Sequence, residues 1–206
     1  RFISNNDSLA KYGVGSNTMM TLIIPNSYLM WWNAPVKNIL ARFADQQKKF
    51  WEGKREAKAA AHNLTPEQVY TMASIVEEET NKQEDKGLIA SVYMNRLKKG
   101  MKLEADPTVK YAMRNFGLKR ILHGHLEYPS PYNTYRQTGL PPGPISTASI
   151  STLDAVLDAP ETDYIFFVAK PDFNGYSNFA ATYQQHLVFA KAYQRALDSL
   201  ILSRNK

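Results

Sequence analysis

The chain has 206 residues, 44% hydrophobic and 21% charged, which suits a globular protein with one sizeable domain. It contains no cysteine, which excludes a disulfide framework and any Cys-based metal site. A net charge of +6 and a pI of 9.3 suit an anionic polymer, but no zinc-finger spacing or RNP-like motif is present, so nucleic acid is set aside as a partner.

No run of about 18 apolar residues occurs, so no segment of the chain is read as crossing a membrane. The chain opens Arg1-Phe2 without Met. It is therefore expected to be a piece of a longer protein, with any membrane anchor outside it.

Residues 1–24 read as the end of a preceding unit. Asp7 to Gly13 predicts a short helix closed by Gly13, and Thr21-Leu22-Ile23-Ile24 predicts an extended apolar segment. Tyr28, Trp31 and Trp32 follow as a dense aromatic group. Such rings can stack on sugars, but burial is their ordinary fate because each hides so much area. Residues 35–62 have the composition of one long helix. Its apolar side carries Val36, Ile39, Leu40, Phe43, Phe50 and Trp51.

The next helix starts legibly. Thr65 is a good N-cap, Pro66 suits the first helical position, and Gln68 completes a capping box. Val69, Met72, Ala73, Val76 and Thr80 then fall on one stripe at helical spacing. The helix ends in Glu77-Glu78-Glu79. At roughly 100° per residue, Glu78 points away from the stripe while Glu77 and Glu79 lie on opposite edges. Taken alone, a Glu run at a helix end is ordinarily a solvated face. A glutamate at the edge of an apolar face can instead be desolvated and hold a proton near neutral pH. Glu77 is selected on that ground as the candidate proton donor.

A further helix is predicted over about 86–99, with Leu88, Ile89, Val92, Tyr93 and Leu97 at helical spacing and Gly100 as its C-cap. Asn95 and Arg96 sit inside it and need partners if buried. Arg96 is expected to pair with a glutamate of the preceding helix. Asp106-Pro107 then predicts a helix start, with Asp106 as the N-cap. His123 and His125 lie two apart without further ligands, so neither a metal site nor a cofactor site is assigned.

Between 127 and 147, prolines and glycines predict a rigid loop carrying Tyr132, Asn133 and Tyr135. A helix is predicted from Ser149, a buried strand over 164–169, a turn at Asp172-Phe173-Asn174-Gly175, a returning strand, and a helix from Thr182 to the end. The class is α+β, mainly helical with a small antiparallel sheet.

Several stretches together resemble the membrane-anchored endolytic murein transglycosylases of the MltG/YceG type. The carriers are ASIVEEE at 73–79, SVYMNRLKKGMKLEADPTVKYA at 91–112, SPYNTY at 130–135, GLPPGPI at 139–145, DYIFFVAK at 163–170 and NFAATYQQH at 178–186. Three positions depart from the family pattern. Ser177 stands where His is common, Ser146-Thr147-Ala148 replaces Asn-Pro-Gly, and Glu104 stands where Gln is common.

The resemblance implies a LysM-like remnant over 1–24 and a catalytic domain over 25–206. It implies a lytic transglycosylase that cuts the MurNAc–GlcNAc bond inside nascent peptidoglycan strands, leaves 1,6-anhydroMurNAc ends and limits strand length. Glu77 maps to the first glutamate of the family's Glu-x-Glu pair and is the expected catalytic residue. Glu79, Asn95, Arg96 and Asp106 are expected to frame it, and Tyr132, Asn133 and Tyr135 to grip the strand. Glycan strands are the expected partner, with peptidoglycan synthases as a second. The expected location is the cell membrane, through an anchor outside the chain, with the catalytic domain in the periplasm or at the cell exterior. Two alternatives stay open: a muramidase-type hydrolase with Glu104 or Asp106 as second carboxylate, and a non-catalytic peptidoglycan-binding module.

Overall fold

The computed structural model describes residues 5–204. The first four residues of the expected remnant lie outside that range. Nine helices and one two-stranded sheet are formed among the described residues. Helix α1 (Asn6–Ala10) is capped by the Asn5 side chain and precedes Gly13, whose φ of +76° suits glycine. Residues 21–24, expected to be extended, instead enter from a 3₁₀ turn over Met19–Leu22. The Thr21 hydroxyl donates to Thr18 O at 2.8 Å, which closes that turn. It delivers Leu22 into a small core with Leu9, Val14 and Leu40.

The single long helix predicted over 35–62 is two helices, α2 (Val36–Trp51) and α3 (Lys54–Ala61). They part at Gly53, whose φ of +78° favours glycine over any other residue. The aromatic group ahead of α2 is another correction. Trp31 and Trp32 are 86% and 102% exposed rather than buried. Only Tyr28 turns inward, edge-on to Phe43 at 5.0 Å, while Leu29 to Trp32 after it are all exposed.

The centre of the molecule is α4 (Pro66–Glu79). Its capping box forms as expected, with Gln68 N donating to Thr65 Oγ1 and Thr65 N to Gln68 Oε1. The burial differs from the predicted single stripe: all eight residues from Val69 to Val76 are buried. The reason is that α4 is covered on several sides, by α3, α5 (Gln83–Lys98), α6 (Asp106–Ala112) and α8 (Ile150–Leu157). A helix packed all round cannot show its orientation through an apolar stripe. Between α6 and α8 lie the short helix α7 (His123–Leu126) and the proline-rich loop. His125 serves α7 locally, its Nδ1 accepting from Leu122 N at 3.1 Å.

Strands β1 (Phe166–Ala169) and β2 (Ser177–Ala180) pair antiparallel, Phe166 opposite Ala180 and Ala169 opposite Ser177. The terminal helix α9 (Tyr183–Arg204) packs on both strands. The buried Asp85 of α5 accepts from Ser177 N at 2.7 Å and ties the hairpin to the helical body. Among the described residues no helix is long and apolar enough to cross a membrane.

Candidate active site

The three glutamates that end α4 meet three different environments. Glu78 is exposed. Glu77 faces the N-terminus of α8, where its Oε2 accepts from Ser149 N at 3.2 Å, Ser149 Oγ at 2.9 Å and the Thr152 hydroxyl. The buried Lys86 of α5 adds an ion pair at 3.3 Å and also donates to Thr152 Oγ1 at 2.6 Å. A helix N-terminus presents unpaired N–H groups and favours an anion. Burial pushes the Glu77 carboxyl up, but the bonds from Thr152 and Ser149 and the charge of Lys86 outweigh it and hold it below the ordinary value. Glu77 is thus partly desolvated as expected, but the expectation that it therefore holds a proton near neutral pH is corrected. The cluster joins α4, α5 and α8 and keeps the group ionised.

Glu79 has the environment that was expected of Glu77. It lies in the wall of a cleft of about 380 Å³, together with Arg96, Glu104, Asp106 and Tyr135. Tyr93 of α5 donates to its Oε1 at 2.8 Å. Burial pushes the Glu79 carboxyl up to about 7, the Tyr93 bond works against this, and the nearby Asp106 adds to it. The carboxyl therefore exchanges a proton close to neutral pH. Two opposite environments about 3 Å of helix rise apart along α4 are possible because residues two apart project on opposite sides of a helix.

The rest of the cleft is built from three sources. Arg96 is buried and donates to Ile165 O at 2.8 Å, to Lys102 O at 3.2 Å and Leu103 O at 2.9 Å, and to Glu104 Oε2 at 3.0 Å. Its expected partner on α4 is thus replaced by Glu104, because its guanidinium is drawn to the chain that leaves α5. Asp106 is the first residue of α6 rather than its cap, which is Ala105. Its carboxylate is left to accept from Tyr135 Oη at 2.7 Å. On the far wall, β1 and α9 supply Phe166, Phe167, Tyr183 and His186. The His186 ring stacks on Phe166 at 5.2 Å, and its buried Nδ1 has no hydrogen-bond partner.

Of the residues selected from the sequence, Glu79, Arg96, Asp106 and Tyr135 come together in this cleft. Asn95 and Asn133 have structural partners. Asn95 Nδ2 donates to Thr162 O at 2.8 Å and Tyr164 O at 2.9 Å. Asn133 is fully buried and donates to Leu126 O and Tyr128 O, both at 2.9 Å. Its expected exposure on the loop surface is corrected: the loop turns around this side chain. Tyr132 lines a separate depression beside Tyr111. Among the described residues no group of three or more His, Asp or Glu is placed to hold a metal ion.

A family model described as the YceG-like family matches residues 3–192. The chain belongs to that family. An endolytic murein transglycosylase of Bacillus subtilis is 42% identical over 152 residues, which are 74% of this chain and 38% of that protein. A protein of the same description from Streptococcus pneumoniae serotype 2 is 36% identical over 111 residues, 52% of this chain and 20% of that protein. The crystal structure of a yceG-like protein of Listeria monocytogenes superposes with a TM-score of 0.72 at 29% identity, covering 90% of this chain and 62% of that one. The chain thus spans about two-fifths of the length of its Bacillus relative.

Several residues of this YceG-like site were not selected from the sequence. Lys86, Ser149 and Thr152 define the state of Glu77, and Tyr93 that of Glu79. Lys86 alone had a usable signal, a cation on a helix whose neighbours are apolar. Tyr93 had none, since a Tyr on an apolar stripe ordinarily packs as core.

Proposed function

We propose that this chain is the catalytic part of an endolytic peptidoglycan lytic transglycosylase, with Glu79 as its general acid and Glu77 as the ionised group that fixes the end of α4. The observation that carries the reading is the Glu79 carboxyl, pushed to about 7 in a cleft it shares with Asp106, Tyr135 and Arg96. A donor whose pKa lies near the working pH is both protonated often enough and acidic enough to transfer its proton. The names of the Bacillus and Streptococcus relatives supply the substrate class.

In this reading protonated Glu79 gives its proton to the glycosidic oxygen between MurNAc and GlcNAc as the bond to MurNAc C1 breaks. The carboxylate then takes the proton of the MurNAc C6 hydroxyl. The C6 oxygen closes on C1 and leaves a 1,6-anhydroMurNAc end. No water is consumed, and one residue serves as acid and then base. Asp106 and Tyr135 frame the acid, and Arg96 holds the cleft wall. The enzyme would act outside the cytoplasmic membrane, through an anchor outside this chain, beside the synthases whose strands it limits.

A hydrolase is the second reading, because Glu104 and Asp106 line the same cleft as Glu79 and hydrolases of this bond use two carboxylates. The mass of the products separates the two. Digestion of uncrosslinked glycan strands should release internal fragments with anhydroMurNAc ends. Predominantly reducing MurNAc ends would establish the hydrolase instead.

A further inference from the structure

The cleft beside Glu79 is one end of a longer run of depressions. Helix α6 links them. Its first residue, Asp106, lies in the cleft, while Lys110 and Tyr111 in its last turn line two others. At about 1.5 Å rise per residue, five residues carry the surface roughly 7–8 Å along the helix axis. The proline-rich loop follows the same helix in the opposite direction. Tyr135 bonds to Asp106, the Thr134 and Thr108 hydroxyls lie 2.9 Å apart, and Tyr132 packs on Tyr111. The two segments are thus strapped together, and what α6 presents at its far end is held in fixed relation to Glu79. The two depressions at that end share Tyr111 and Phe116. Glu78 connects the nearer one to the surface beside Glu79, and Lys110 lies close enough to Glu79 to act on its carboxyl.

The far end has its own chemistry. Tyr111 meets Tyr132 at 4.8 Å and Phe116 at 6.4 Å. Tyr132 and Tyr111 are partly buried, whereas Phe116 is 69% exposed. Its depression holds about 550 Å³ and also carries Arg114. A single exposed apolar residue needs no explanation by itself. Here the exposed ring belongs to a three-ring cluster whose two depressions also carry the cations Lys110 and Arg114, and which adjoins the cleft.

We propose that Tyr111, Phe116 and Tyr132 form a distal subsite for a pyranose ring of the same glycan strand, away from the bond being cut. The proposal rests on the reading of the cleft as a glycan-strand site. Sugar C–H faces pair with the electron-rich faces of aromatic rings, and the two cations suit the carboxylates of the strand's lactyl or peptide substituents. A subsite of this kind makes the enzyme prefer long strands, since a short fragment that fills the cleft does not reach it.

The test measures KM and kcat on soluble uncrosslinked strands sorted into short and long fractions, with binding of the same strands, fluorescently labelled, read by anisotropy. Phe116→Ala should raise KM on long strands about tenfold, the size of one aromatic contact. It should leave kcat, short-strand kinetics and melting temperature unchanged, and Phe116→Trp, which keeps a ring, should restore the long-strand KM. Equal behaviour of Phe116→Ala and the parent chain on long strands overturns the subsite. So does an equal loss on short and long strands, which would mark a general effect on the cleft. If the parent chain binds strands without cutting them, the lyase reading fails while weaker long-strand binding by Phe116→Ala still supports the subsite. If it neither binds nor cuts, both are overturned.

Discussion

Tyr93 Oη donates to Glu79 Oε1 at 2.8 Å, joining α5 to the last turn of α4 from a position 1% exposed. The bond stabilises the charged carboxylate, while burial stabilises the neutral acid; burial wins, and the carboxyl stands near 7. Tyr93→Phe removes only the opposing contribution and keeps the ring against Phe167. The Glu79 value should therefore rise further. The limb of the pH–rate profile on which activity falls with rising pH should move to higher pH, with little change in folding. An unshifted limb would mean that Glu79 is not the titrating acid.

The two glutamates of α4 should separate cleanly by substitution. Glu79→Gln keeps the shape but removes the transferable proton, and loss of a general acid costs about a hundredfold to ten-thousandfold in rate. Its melting temperature should hold or rise. Glu77→Gln should do the reverse. It leaves buried Lys86 without its ion-pair partner, at a cost of about 1–3 kcal/mol after allowing for the partial exposure of Glu77. The rate per folded molecule should survive. A dead, normally folded Glu77→Gln beside an active Glu79→Gln would move the acid to Glu77.

Glu79 also gives stability a pH dependence of known sign. Its folded value of about 7 exceeds the usual 4.5. Between those values the folded chain keeps a proton that the unfolded chain has released, so stability falls as pH rises across this window. Above the folded value the loss is complete. The difference in melting temperature between Glu79→Gln and the parent chain should therefore grow in favour of the variant from pH 4.5 to pH 7 and then level off. A difference that stays flat across the window would contradict the burial of this carboxyl.

Asn133 was selected as a residue that grips substrate, yet it is the buried post around which its loop turns. Besides its two donated bonds, its Oδ1 accepts from Tyr135 N at 3.0 Å. Asn133→Ala should cost about 1–3 kcal/mol, since it removes a fully buried side chain and leaves two part-buried carbonyls without their donor. It should also lower kcat, because Tyr135 loses its fixed relation to Asp106. Denaturant unfolding and strand digestion measure the two effects. A stable variant with only a raised KM would restore the gripping role.

Local signals in the sequence settled what local physics controls. The capping box of Thr65 and Gln68, the turn at Asp172 to Gly175, and the helix of α5 ending before Gly100 depend on side chains within a few residues of one another, and each formed as read. The motif set also settled the family, which needs only residue identities in order. Tertiary structure decided which end of the Glu77–Glu79 pair enters a cleft. Two residues apart on a helix project on opposite sides, and α4 is buried all round, so its own pattern of apolar residues contains no direction. The direction came from partners far along the chain. Lys86, Ser149 and Thr152 close on Glu77 and hold its charge, while Tyr93, Asp106 and the wall built by β1 and α9 close around Glu79 and leave it a proton.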